Sequence, residues 1–365
     1  MEKRKRWDMK SPETKALVDE IVHGTFVKEG TMVAFPACFP GVTVPIPADE
    51  SHITALDVSR DGIVYGGTSG RRVHLFVGMF HGVTGLVFDL GWLEGSRRCT
   101  AVCCTKDGFV AAVNGPTGGK LVAGKYQPLP FDLIQEWGFS RPPLEDLGEA
   151  VHGEEIVHAV ADGTGTKIIG TTPGHLFSYD LERRTFEVVA KTEAAGQIVL
   201  GPSGNVFGTD NKGALWRYVP GRERFEAGWA RLPPGSWGDG SPKWSTDPKS
   251  GNLYVVDSEG RIFSFDGAKF SKELGRTPLA PVGAMAATFD GRLFGACGEG
   301  ISRLFCFDPR DGMVRDLGVA VSVIERRRYG YQFGAAAVGR DGEIILGEED
   351  DLGHVWLYFP KILPR

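Results

Sequence analysis

The stretch KIIGTTPGHLFSYDLERRTFEVV, residues 167–189, decides the fold. It reads as three short strands: an apolar run ending in Gly170-Thr171, a run from His175 to Asp180 after a turn at Pro173-Gly174, and, past a charged turn, a run from Phe186 to Val189. No helical period fits it. Leu176, Phe177 and Tyr179 are spaced for a pleated ribbon, and the breakers fall at turn spacing.

The pattern recurs along the chain. Apolar strands break at Asp61-Gly62, Asp107-Gly108, Asp162-Gly163, Ser203-Gly204, Ser250-Gly251, Asp290-Gly291 and Asp341-Gly342, at intervals of roughly 40 to 55 residues, the size of one propeller blade. Such doublets suit hairpin turns that need positive φ. The next strand commonly ends in Gly and a small or polar residue, as in Tyr65-Gly66-Gly67-Thr68, Phe207-Gly208-Thr209 and Phe294-Gly295-Ala296. A third strand follows as His74-Leu75-Phe76, His175-Leu176-Phe177, Leu215-Trp216, Ile262-Phe263, Leu304-Phe305 and Val355-Trp356. Both faces of these strands are apolar, as they must be when each sheet lies between two others.

The pattern predicts an all-β, seven-bladed β-propeller, each repeat too small to bury its own faces. The last unit ends after its third strand with almost no chain left. Its fourth strand is expected from the N-terminal β segments, 31–38 or 42–46, which lack a local hairpin partner and would close the ring. The expected division is a tail with a short helix over 1–30 and the propeller over 31–365. Ser11-Pro12-Glu13 is the helix start, with Leu17, Val18 and Ile21 on one face and Gly24 as the stop.

Composition agrees with turn-rich β structure: of 365 residues 51 are Gly and 22 Pro, and 42% are hydrophobic. A net charge of -5 argues against a nucleic-acid partner. The six cysteines form no CxxC pair and read as reduced thiols. No apolar run reaches membrane-spanning length, so no membrane partner is expected. The basic start, residues 3–6, is not followed by a secretory apolar core, which reads as cytoplasmic or as a mature exported form.

Candidate site residues come from the starts of the inner strands, which line the axial mouth of a propeller: His52, Arg98, His158, Gln197, Lys243 with Trp244, and Tyr329, Tyr331 and Gln332. His74, His175 and His354 form a second set at equivalent third-strand positions in units one, three and seven. Three imidazoles on one rim would hold a divalent metal or an anionic ligand; the alternative is that the repeat propagates an amphipathic filler. The acidic run at 347–351 offers carboxylates for Ca²⁺ without the spacing of a calcium loop, and otherwise reads as a solvated charge cluster. Two long connections, 127–149 and 319–331, are either functional loops or surface flaps. There is no GxSxG, HExxH or dinucleotide fingerprint.

Through Gly-Thr followed by Gly-His-Leu-Phe-x-Tyr-Asp (170–180), and Gly-Thr followed by His-Leu-Phe (67–76), the chain resembles seven-bladed carbohydrate-active propellers. These are the uronate-cleaving polysaccharide lyases, such as ulvan, oligogalacturonate and rhamnose-glucuronate lyases. The resemblance covers the repeat over most of the chain and is architectural. It implies β-elimination beside a uronate carboxylate of an oligosaccharide, which needs a base, an acid and a cationic clamp. In those terms His158 would be the base and Tyr329 or Tyr331 base or acid. Arg328, Lys243 or a divalent metal such as Mn²⁺ or Ca²⁺ would hold the carboxylate, with Trp237 and Trp244 on the sugar rings and His52 among the substrate contacts. Two other functions fit the same architecture: a non-catalytic platform for a protein partner, and a glycoside hydrolase or epimerase using the same pocket.

Overall fold

The computed structural model of the protein describes residues 8, 10–23, 30–36, 46–125, 143–238, 242–322, 329–351 and 353–361. Arg328, residues 42–45 and most of the 127–149 connection lie outside them.

Seven four-stranded antiparallel sheets form the chain, six in sequence order and a seventh that joins the two ends. Their inner strands are His52–Val58, Arg98–Thr105, His158–Ala161, Ala194–Leu200, Lys243–Thr246, Val282–Ala287 and Phe333–Val338. Each inner strand packs against the next around a ring. Among the described residues, buried apolar side chains form seven clusters, one at each interface between neighbouring blades. This follows from strands that are apolar on both faces, since no blade can cover its own sides.

The N-terminal segment closes the ring. Gly30–Pro36 pairs antiparallel with His354–Pro360, in a register running from Gly30↔Pro360 to Pro36↔His354. Met32 and Val33 are fully buried there, and the Ala34 amide donates to Ser322 Oγ at 3.1 Å. A short helix, Pro12–His23, precedes it, with Ser11 Oγ accepting the Thr14 amide at 3.0 Å as an N-cap. Val18, expected on its apolar face, is exposed, and Thr14 is buried instead.

The recurring glycine of the second strand has a packing cause. Gly66, Gly170, Gly208 and Gly295 lie directly opposite Phe76, Phe177, Trp216 and Phe305 of the third strand. In each case the aromatic ring lies over the glycine, where a Cβ would collide with it. The ring replaces the missing side chain and carries the interface to the preceding blade.

A second repeat lies in the fourth strands. Asp-Leu-Gly at 89–91, 146–148 and 316–318 forms a bulge in which the carboxylate accepts the glycine amide at 2.9 Å. The glycines take φ of 129°, 98° and 91°, which side chains rarely adopt. The same carboxylates pair with a cation heading the third strand: Asp89 with His74, Asp146 with Lys120 and Asp316 with Arg303. His74 therefore occupies a position that other blades fill with Lys or Arg.

Candidate functional site at the axial mouth

An axial channel of about 1370 Å³ is lined by the inner strands of all seven blades. Because each inner strand begins at the same end, their first residues gather at one mouth. His52, Arg98, His158 and Lys243 each head an inner strand, as the repeat predicts. Arg98, His158 and Lys243 line the channel, together with Gln197 and Glu349.

Neither Arg98 nor Lys243 forms an ion pair within 4 Å among the described residues, although both act electrostatically on Glu349. Burial works against the charge of Lys243; Glu349 supports it, Arg98 opposes it, and its pKa is lowered. Glu349 is exposed to solvent and lines the channel. Lost hydration raises its pKa against the pull of Lys243, His52 and Arg98. Burial, then the charge of Lys243, push His158 down to about 4, so its ring is neutral at physiological pH. Its Nδ1 is sealed in the wall without a hydrogen-bond partner, as is Oγ1 of its cross-strand neighbour Thr171. His52 Nε2 lies 2.9 Å from Asp351, which fixes it on the rim. Gln197 is partly committed to structure, since its Oε1 accepts the Trp244 amide at 2.9 Å. At the other end of the channel Asp57 accepts the amides of Cys104 and Val58 at 2.6 and 2.8 Å, and burial raises its pKa despite them.

Of the remaining described candidates, Trp244 borders the channel with its side chain buried, and the others lie elsewhere. Trp244 is 3% exposed and packs with Phe270 and Phe263 between blades 4 and 5; strand alternation turns Lys243 to the channel and the next side chain away from it. Trp237 joins the same cluster, its Nε1 donating to the Pro233 carbonyl at 2.8 Å. Tyr329 lies on a bridge to Val321, and the Tyr331 amide donates to Glu348 Oε1 at 3.0 Å; neither tyrosine lines the channel.

The three third-strand histidines do not converge on a metal. His74 contacts Glu50 at 2.8 Å and Asp89 at 3.1 Å, His175 contacts Glu154 at 3.1 Å, and His354 contacts Glu348 at 3.3 Å. Each ring is held by the acids of its own blade or of the loop entering it. Among the described residues no group of three His, Cys, Asp or Glu could hold a metal ion. The acidic run divides in the same way. Glu348 is fully buried and also accepts Trp356 Nε1 at 3.1 Å; Glu349 faces the channel, and Asp351 holds His52. It is neither a calcium loop nor a wholly solvated cluster.

Sequence reasoning weighed Glu349 only as part of the acidic run at 347–351 and not as a residue of the mouth. The further signal was its place just past the end of a second strand, where the blade meets the mouth. Glu50 and Glu154 carried a similar signal, each being an acid just upstream of an inner strand.

No family model and no curated protein matches the chain. Solved structures do. It is similar to the extracellular domain of BT4673 from B. thetaiotaomicron, described as a hybrid two component system, with a TM-score of 0.55, 12% identity, and coverage of 89% of this chain and 39% of that one. A second structure, of the same domain but described as a one component system, gives 0.54, 13%, 89% and 39%. The chain thus spans 39% of the length of the structures it matches. At such identity the likeness is one of fold.

Proposed function

We propose that this propeller is a carbohydrate-active protein whose axial mouth binds a uronate-containing oligosaccharide and cleaves it by β-elimination. The observation that supports this reading is the pair of cations, Arg98 and Lys243, at one mouth without ion pairs among the described residues, beside a neutral histidine. A carboxylate is the ligand group that two such cations favour, and a guanidinium suits it bidentately.

The elimination follows from the same groups. His158, neutral and on the channel wall, accepts the proton α to the uronate carboxylate. Its low basicity places the demand on the cations, which stabilise the enolate-like charge. Glu349, with its raised pKa, is the group suited to protonate the leaving oxygen. No tyrosine and no metal is needed in this assignment.

Calorimetric titration with a uronate oligosaccharide and a neutral one of equal length, alongside the ultraviolet absorbance of unsaturated uronate, tests both parts. Binding of the acidic sugar alone, with rising absorbance, is expected. Equal binding of the neutral sugar would overturn the anion site, and binding without absorbance would overturn the elimination.

A further inference from the structure

Lys243 is unusual among the residues of the mouth. It is a half-buried primary amine that heads an inner strand and lines the channel, and it has no carboxylate within ion-pairing distance among the described residues. The groups that act on it electrostatically, or on which it acts, are Arg98, Glu349 and His158. A cation, a carboxyl group and a neutral imidazole around a partly desolvated amine are the parts that imine formation requires. Burial and Arg98 both favour the unprotonated amine, the nucleophilic form, while Glu349 opposes them.

We infer that Lys243 captures the open-chain carbonyl at the reducing end of an acidic sugar as a Schiff base, with the sugar's carboxylate on Arg98. This deepens the reading of the mouth as a uronate site and rests on it. The lone pair of Nζ attacks the carbonyl carbon and forms the C–N bond, while the carbonyl oxygen takes a proton from Glu349. The nitrogen gives up a proton to His158. The hydroxyl then leaves as water with the proton that His158 took up, C=N forms as the protonated imine, and its nitrogen proton returns to Glu349. Amine plus carbonyl gives imine plus water, no electron is gained or lost, and hydrolysis reverses the step.

The mouth also sets the class of ligand. An acid with a nearby aldehyde or ketone satisfies Arg98 and Lys243 together, whereas a neutral aldehyde meets only the amine. Reducing-end uronates in their open-chain form carry both groups on one sugar unit, and small oxo acids carry both on neighbouring carbons.

The test uses the full chain with glyoxylate as the acidic probe and propionaldehyde as the neutral one, each with cyanoborohydride to fix any imine, followed by peptide mass mapping. Labelling of Lys243 by glyoxylate at least tenfold faster than the average of the other lysines is expected. Arg98→Gln should slow glyoxylate labelling of Lys243 several-fold more than propionaldehyde labelling, because it removes the carboxylate's partner as well as a charge that favours the free amine. Labelling of Lys243 no faster than that of other lysines would overturn the proposal, as would equal slowing with both probes. A uronate oligosaccharide and its borohydride-reduced alditol, titrated by calorimetry, keep the two readings apart. If both bind while Lys243 is not selectively labelled, the Schiff base alone fails; if neither binds, the uronate site itself fails.

Discussion

The Nε2 of His74 lies 2.8 Å from Oε2 of Glu50, and neither side chain is open to solvent. Asp89 Oδ2 sits 3.1 Å from the other ring nitrogen, so the imidazole faces a carboxylate at each end. To donate to both it must carry both protons. Arg72 then pairs with Glu50 at 2.9 Å and lies 4.7 Å from the Trp92 ring centroid, tying the loop before the first inner strand to the outer strands of the same blade. Thr68 Oγ1 accepts the His74 amide at 3.0 Å.

This cluster predicts a stability plateau bounded on both sides by pH. Burial opposes the charged ring, but Asp89 and Glu50 outweigh it and hold His74 above its ordinary value of 6.5. Its contribution is therefore fully present below that value and is lost as pH rises through the raised folded pKa. Burial likewise opposes the Glu50 charge, yet Arg72 and His74 hold its pKa below 4.5. That contribution is present above 4.5 and is lost as pH falls through the lowered folded value. His74→Gln should cost about 3 kcal/mol near neutral pH, because it strands two carboxylates, and should remove the alkaline limb. Urea denaturation across pH measures both. A variant with the wild-type alkaline limb would show that His74 is not the titrating group.

Gly208→Ala should destabilise the protein by about 1–3 kcal/mol, since its methyl group would meet the Trp216 indole. In the double variant with Trp216→Leu the penalty of the added methyl should largely vanish, giving a coupling energy that chemical denaturation resolves. Strict additivity would show that the ring is not what requires the glycine.

The closing strand carries stability that no local contact supplies. Met32→Ala should cost about 3 kcal/mol, the price of a cavity at a fully buried site. Deleting residues 25–48 should give unfolded or aggregated protein, because the edge formed by His354–Pro360 is left open. Size-exclusion chromatography of the deletion variant decides this; a soluble, cooperatively folding monomer would contradict closure by this strand.

Glu349→Gln should tighten binding of a uronate oligosaccharide roughly fivefold at neutral pH, corresponding to about 1 kcal/mol of repulsion removed from the rim. Because burial holds the Glu349 pKa above its ordinary value, the wild-type protein should bind the anion more tightly as pH falls through that raised value. The variant should lose this component of the pH dependence and, with it, the proton donor for elimination. Calorimetry at several pH values reads the first effect and uronate absorbance the second. An unchanged pH profile would mean that Glu349 does not face the bound carboxylate.

Much of this protein was legible in one dimension. A repeat of about 40 to 55 residues with turn doublets dictates blades, and an unfinished last unit with a spare N-terminal strand dictates closure. The same period picks out His52, Arg98, His158 and Lys243, because a strand that begins at a fixed place in each blade begins at the same end of the ring. What the sequence could not decide is which of two opposite directions each side chain takes, and which blades it meets. Only the assembled ring turns Trp244 into an interface while Lys243 enters the channel, and brings Glu349 from the seventh blade toward Arg98 and Lys243. It also gives His74, His175 and His354 separate carboxylate partners, so that residues alike in the repeat never meet. Local periodicity places a residue within its blade; the radial packing of seven blades decides what it faces.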